Sequence, residues 1–185
     1  MKFDKNNINY IQENPNFYRV LHNGEIFSFN TPVMGIPFGI DQEYGKIMCR
    51  LEFPEDSKIN TQYIHVKKIL EKIEKYVCEN FDVDLEKEEL KSVFRKKDKF
   101  PDLIECRIKE IKDKVITKVE YENKSDNYLK TLFDIKEKSF GIAKLEWAGV
   151  FDYREKENDI NDINNIDNKH KIGIILYISK ILVKD

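Results

Sequence analysis

The chain has 185 residues, 41% of them hydrophobic, 12% aromatic and 36% charged, which is enough apolar material for one buried core and too much for a chain disordered throughout. Its 32 basic and 34 acidic residues leave a formal net charge of −2, which argues against a protein that coats duplex DNA by bulk positive charge. No window approaches the roughly 20 apolar residues of a membrane span and no signal-length apolar run opens the chain, so a soluble, intracellular protein with no membrane partner is expected.

Residues 1–17 are Asn-rich and weakly patterned, and are expected to form a loosely ordered arm ahead of a single domain over residues 18–185. In residues 18–29, YRVLHNGEIFSF, Asn23-Gly24 separates two apolar runs and predicts a β-hairpin, because both residues tolerate positive φ. Pro32 and Pro37 then remove two backbone donors, and residues 31–39 are expected to approach the next strand without joining a ladder. From Lys46 to Phe53 the alternation is clean, with Ile47, Cys49, Leu51 and Phe53 on one side and Lys46, Met48, Arg50 and Glu52 on the other.

Over residues 61–81 the period changes. Val66, Ile69, Leu70, Ile73, Val77 and Phe81 recur at three and four behind an Asn60 or Thr61 cap, predicting one long helix. Residues 85–94 predict a shorter second helix or turn. Period 2 returns at Ile104, Cys106 and Ile108 and at Val115, Thr117, Val119 and Tyr121, read as a second hairpin joined near Lys112 and Asp113. Residues 125–134 are read as a turn packing Leu129, Leu132 and Phe133.

Residues 140–153 predict a strong strand with Ala143, Leu145 and Trp147 on one face and a bend or bulge at Gly149. Residues 155–170 are polar and low in complexity, hence a mobile loop, and residues 171–183, KIGIILYISKILV, are apolar on both faces, hence a central or barrel-closing strand. These elements predict a β-rich α+β fold: an antiparallel OB-like barrel or sandwich with one long helix and a shorter second one.

The three cysteines, Cys49, Cys78 and Cys106, are odd in number, widely spaced and set in apolar patterns, which predicts buried thiols rather than disulfides or zinc. His22, His65 and His170 have no partner at ligand spacing, and Asp41 and Glu43 beside Tyr44 read as ordinary loop acids. Phosphate-cradling, nucleophile-elbow and zinc motifs are missing, so no catalytic residue, metal or cofactor is assigned and a non-enzyme is expected.

Charge is unevenly placed. Residues 91–100, KSVFRKKDKF, hold five basic residues against one acid, while residues 152–168 hold six acids against two basic residues. Phe94, Arg95, Lys96, Lys97, Lys99 and Phe100 interleave rings with cations, and Lys46, Arg50, Arg107, Lys109 and Lys118 project from the polar faces of predicted strands. Single-stranded nucleic acid is bound by that mixture, cations following phosphates and rings stacking on bases. Two core rings beside a solvated turn would have the same sequence.

The succession TPVMGIPFGI, RLEF, a helix, FPDLIECRI, NYLKTLFDIK, IAKLEWAGVFDY and GIILYISKILV resembles a group of uncharacterised proteins of large nucleocytoplasmic DNA viruses, themselves similar to viral OB-fold single-stranded DNA-binding proteins. The resemblance implies a non-catalytic protein of viral DNA replication, acting on single-stranded DNA, or RNA, beside replication or virion proteins in the host cytoplasm or the virion. The alternative is a structural or assembly protein of the virion or viral factory that uses its barrel as a protein-interaction module.

Overall fold

A computed structural model describes residues 3–43, 45–83, 90–95, 101–112, 114–122, 131–153 and 172–184. Two long strands, β13 (Ser139–Asp152) and β14 (Ile172–Lys184), pair antiparallel along their whole length and act as a double spine. The outer edge of β13 carries three short strands laid end to end: β2 (Phe17–His22) at residues 149–151, β3 (Phe27–Asn30) at 144–147 and β4 (Met34–Ile36) at 139–141. The outer edge of β14 carries β7 (Leu90–Lys91) at residues 172–173, β9 (Leu103–Ile108) at 177–178 and β12 (Lys118–Tyr121) at 180–183, all parallel to it.

The strand β6 (Lys46–Glu52) then joins β4 to β9 and closes a ring of five, β4-β6-β9-β14-β13-β4. The protein is a closed β-barrel with one long helix. Around the ring hang β1 (Ile8–Asn14) on β2, β5 (Ile40–Glu43) on β6 and β8 (Phe94–Arg95) on β9. A two-stranded pair, β10 (Glu110–Ile111) with β11 (Lys114–Val115), stands apart, turning at Lys112 with φ 48°.

The helix α1 (Thr61–Phe81) has the bounds its periodicity predicts. The Asn60 side chain accepts the Gln62 N–H at 3.0 Å, and Asp82, left-handed at φ 49°, gives its N–H to the Cys78 carbonyl. Its buried stripe, Tyr63, Val66, Ile69, Leu70, Ile73, Tyr76 and Val77, joins the barrel interior in one continuous core. Tyr63 donates its hydroxyl to the Val33 carbonyl at 2.7 Å, Tyr76 meets Trp147 edge-on, and Phe81 meets Tyr10 and Tyr18. Each such side chain contributes roughly 1.5–3 kcal/mol on burial. No helix among the described residues is long and apolar enough to cross a membrane.

Several expectations are corrected in whole or in part. The predicted arm is built into the sheet: β1 pairs with β2 from Ile8 to Asn14, and the Phe3 ring lies against Phe27, Tyr76 and Trp147. Asn9 and Asn14 are exposed on this edge strand and Asn6 and Asn7 lie in the 3-10 turn before it, which together hide the alternation. Asn23 and Gly24 do form a tight turn, with φ 54° and 80°, but β2 and β3 leave it to pair with different stretches of β13, joined only by the His22–Glu25 bridge. The second hairpin turns where predicted, at Lys112, but only the short β10 and β11 pair across it, and β9 and β12 both leave to pair with β14.

The Pro-flanked segment contains a barrel strand, β4, because Pro32 and Pro37 stand just outside residues 34–36 and leave their donors intact. In place of the C-terminal half of the predicted second helix stand β7 and β8, with Val93 and Phe94 buried and Ser92 bonding both the N–H and carbonyl of Phe94. Residues 84–89, the predicted loop at 155–170 and Leu129 lie outside the described residues. The 3-10 turn Leu132–Asp134 buries Leu132 and exposes Phe133.

The expected bulge is at Gly149, where the β13–β14 register slips between Trp147 and Gly149. A β-carbon there would lie 2.3 Å from the Tyr18 carbonyl oxygen and 2.6 Å from the Phe17 ring, so the missing side chain lets β2 close onto β13.

Candidate nucleic-acid interface

The outer face of β6 and β9 collects the polar halves of two alternating strands. Cys49 and Cys106 face each other inside the barrel, which turns Met48, Arg50, Glu105 and Arg107 outward. Arg50 stands opposite Glu105, Met48 opposite Arg107, and Arg107 in turn beside Tyr177 of β14. β7 brings Lys91 over Gly173, and β5 folds back beside β6 to bring Asp41 and Glu43 alongside.

Two groups of charge form on this face. In the first, Arg50 is held by Asp41 at 3.2 Å, by Glu105 at 3.4 Å and by Glu43, while Arg95 binds Glu105 at 2.9 Å. Burial opposes the Arg50 charge, but the bonds to Glu43 and Asp41 and the Glu105 charge outweigh it, and the guanidinium stays above its ordinary pKa. The exposed Phe38 ring covers this guanidinium, with the charge centre 5.8 Å from its centroid.

The second group is Lys46, Lys91 and Arg107, which line a cleft of about 100 Å³ with Met48 and Phe151. Burial lowers the Lys46 pKa, and the neighbouring Arg107 and Lys91 charges lower it further. Burial also lowers that of Arg107, against the favourable influence of Tyr177 and Tyr153. Among the described residues, none of these three cations makes an ion pair. Glu43 and Glu105 also line the cleft, but their carboxylates are bonded to Arg50 and Arg95. A second, more open cleft of about 390 Å³, lined by Phe38, Arg50, Arg95 and Leu103, shares Glu105 as a wall with the first.

The candidates read from the sequence therefore fall into distinct places. Lys46 and Arg107 are brought together. Arg50 and Arg95 adjoin them as partners of carboxylates. Lys109 lies past the end of β9, bonded to Glu146 at 2.7 Å, and Lys118 stands on the edge strand β12, where its register partner on β14 is Lys180. Phe94 is only 5% exposed and packs edge-on against Phe53 at 5.7 Å, so it is a core ring and offers no face to a base. Lys96, Lys97, Lys99 and Phe100 lie outside the described residues.

The sequence reading counted Lys91 in the basic run of residues 91–100 without assigning it to the site, and passed over Phe38, Tyr153 and Tyr177. For Phe38 a signal existed: a ring between Pro37 and Gly39, the latter at φ 64°, sits in a turn that presents it to solvent, where it is 53% exposed. For Lys91 the basic run was a signal, but only the pairing of β7 with β14 carries it to Arg107.

Among the described residues, no group of three or more His, Cys, Asp or Glu side chains could hold a metal ion. Cys49 and Cys106 are buried and Cys78 is half-buried, all three as free thiols. No protein-family model and no curated protein matches the chain.

Proposed function

We propose that the chain is a non-catalytic single-stranded nucleic-acid-binding protein with an OB-like barrel, which lays the strand across the outer face of β6 and β9. One observation carries the reading: the cations Lys46, Lys91 and Arg107, which make no ion pair among the described residues, and the exposed ring of Phe38 lie on one continuous face. Cations of this kind track phosphates, and an exposed ring stacks on any base.

The barrel topology supports it. Numbered along the chain, the five ring strands close in the order first, second, third, fifth, fourth, with the third and fifth parallel, as expected of an OB-like Greek-key barrel. In such barrels oligonucleotides cross the face of the second and third strands, here β6 and β9, and are flanked by the loop between the first two strands, here the one that carries Phe38. The helix departs from the usual arrangement, standing between the second and third ring strands rather than the third and fourth. A role in the replication of a large DNA virus rests on the resemblance of the chain to that viral group.

The test is oligonucleotide binding by fluorescence anisotropy across a salt series. Affinity is expected to fall with salt at a slope of about −0.7 per phosphate contact, and a Lys46→Glu, Lys91→Glu double variant, altered at two exposed positions, should flatten the slope. Phe38→Ala should lose about 1–3 kcal/mol for the stacked base with little regard to its identity. No binding by the wild type at low salt would favour the assembly-protein reading.

A further inference from the structure

We propose that the cleft bounded by Lys46, Lys91 and Arg107 receives a terminal phosphomonoester, so that the barrel takes up the phosphorylated end of a single strand. The inference rests on the single-strand reading above and names the part of the strand that reaches this cleft.

Three positive side chains around about 100 Å³ are a costly arrangement when, among the described residues, none of the three makes an ion pair. They repel one another, and burial takes water from Arg107 and, to a smaller extent, from the largely exposed Lys46. Among the described residues, the two carboxylates that line the cleft, Glu43 and Glu105, are engaged by Arg50 and Arg95. An anion of higher charge recovers that cost better than one of lower charge. An internal phosphodiester brings one negative charge, and its chain must leave on both sides. A phosphomonoester brings about −1.5 to −2 at pH 7, with three acceptor oxygens and only one substituent.

The shape of the cleft agrees with a single substituent. Gly173 has no β-carbon, and the space is taken by the Phe151 ring, whose Cζ would stand 2.3 Å from it, while the Lys91 β-carbon lies 3.1 Å from the same point. Phe151 and β7 thereby close over β14 and wall the cleft on that side. The other side leads past Glu105 to the open groove under Phe38, where the following nucleotide would have an exposed ring to stack on. Arg107, braced by Tyr177, supplies the planar fork that grips two phosphate oxygens at once.

The experiment compares an internally labelled 12-nucleotide strand bearing hydroxyl ends with the same strand phosphorylated at its 5′ or its 3′ end, by anisotropy at fixed salt. One of the phosphorylated strands is expected to bind about tenfold tighter than the hydroxyl strand, the worth of one added charge-assisted contact. Lys46→Gln and Lys91→Gln, at exposed positions, should abolish that preference while hydroxyl-strand binding falls less. Equal affinity for all three strands overturns the inference and leaves the single-strand reading standing, whereas binding of none overturns the reading itself. A nucleoside monophosphate that binds as tightly as the phosphorylated strand also overturns the inference, because the ligand is then a free nucleotide. Preference that survives in both Gln variants places the terminal phosphate elsewhere and overturns it too.

Discussion

Arg50 and Glu105 face each other across β6 and β9, with the guanidinium Nε 3.4 Å from the carboxylate, although 55 residues separate them in the chain. Glu105 also holds Arg95, so one nearly buried carboxylate occupies two cations on the face where a strand would lie. Removing its charge separates the structural role from the binding role. Glu105→Gln should cost about 1–3 kcal/mol of stability, the range for a disturbed buried polar group. It should also raise single-strand affinity and steepen the salt slope by about 0.7 for each phosphate the released arginines engage. Chemical denaturation and anisotropy on the same variant check both, and an unchanged slope would place the strand away from Arg50.

The helix α1 is integral to the core rather than an accessory. Ile73 is fully buried among barrel and helix side chains. Ile73→Ala should therefore cost about 2–5 kcal/mol, through lost burial and the cavity left behind. Denaturant titration reads this directly, and a loss below about 0.5 kcal/mol would mean that the helix is peripheral.

Two glycines separate steric need from backbone need. At Gly149 an added β-carbon meets the Tyr18 carbonyl at 2.3 Å, an immovable neighbour unless β2 shifts, and Gly149→Ala should cost roughly 1–3 kcal/mol or more. At Gly24 nothing lies within 4 Å, but φ is +80°, so Gly24→Ala should cost only the left-handed penalty of about 1–2 kcal/mol. Thermal unfolding of the two variants side by side should put Gly149→Ala lower.

The thiols give a pH-dependent test. Burial pushes the Cys49 thiol up to about 12 and raises Cys106 well above its ordinary value, while Cys78, raised by burial to a lesser degree, is half-buried on α1. A thiol-specific reagent should modify Cys78 first and reach the other two only on unfolding. A raised folded pKa means that the stability from keeping Cys49 neutral is fully present below its unfolded value, about 8.5, and is lost as pH rises from there toward 12. The denaturation midpoint should fall over that window more steeply in the wild type than in Cys49→Ala.

Much of the local structure was legible along the chain, because it is decided by neighbours a few residues apart. The 3.6-residue stripe and the Asn60 cap bound α1, the alternation from Lys46 gave β6 and its inward face, Asn23-Gly24 gave a turn, and Gly149 gave the bulge. The two-faced apolar run of β14 placed it centrally, and it pairs on both edges. Alternation names the buried face of a strand, however, and not the strand beside it. That is why both predicted turns are present while the strands expected to flank them, β2 with β3 and β9 with β12, lie instead along β13 and β14, and why a three-residue strand between two prolines went unread.

The candidate site was legible in its ingredients and not in its assembly. Lys46 and Arg107 were named from their outward positions, yet the same rule named Arg50, whose charge is spent on Asp41, Glu43 and Glu105, and the mixed composition around Arg95 named Phe94, which the core absorbed. Whether a cation is available depends on which carboxylates the fold brings within a few ångströms, and whether a ring is exposed depends on which elements cover it. By itself the sequence determined the elements with local causes: the helix, the alternating strands, the turn and the bulge. Only the tertiary structure decided the closing of the barrel and the choice between Arg50 and the Lys46, Lys91 and Arg107 group, because strand pairing and ion pairing are contacts between residues far apart in the chain, and nothing in the spacing of either partner encodes the other.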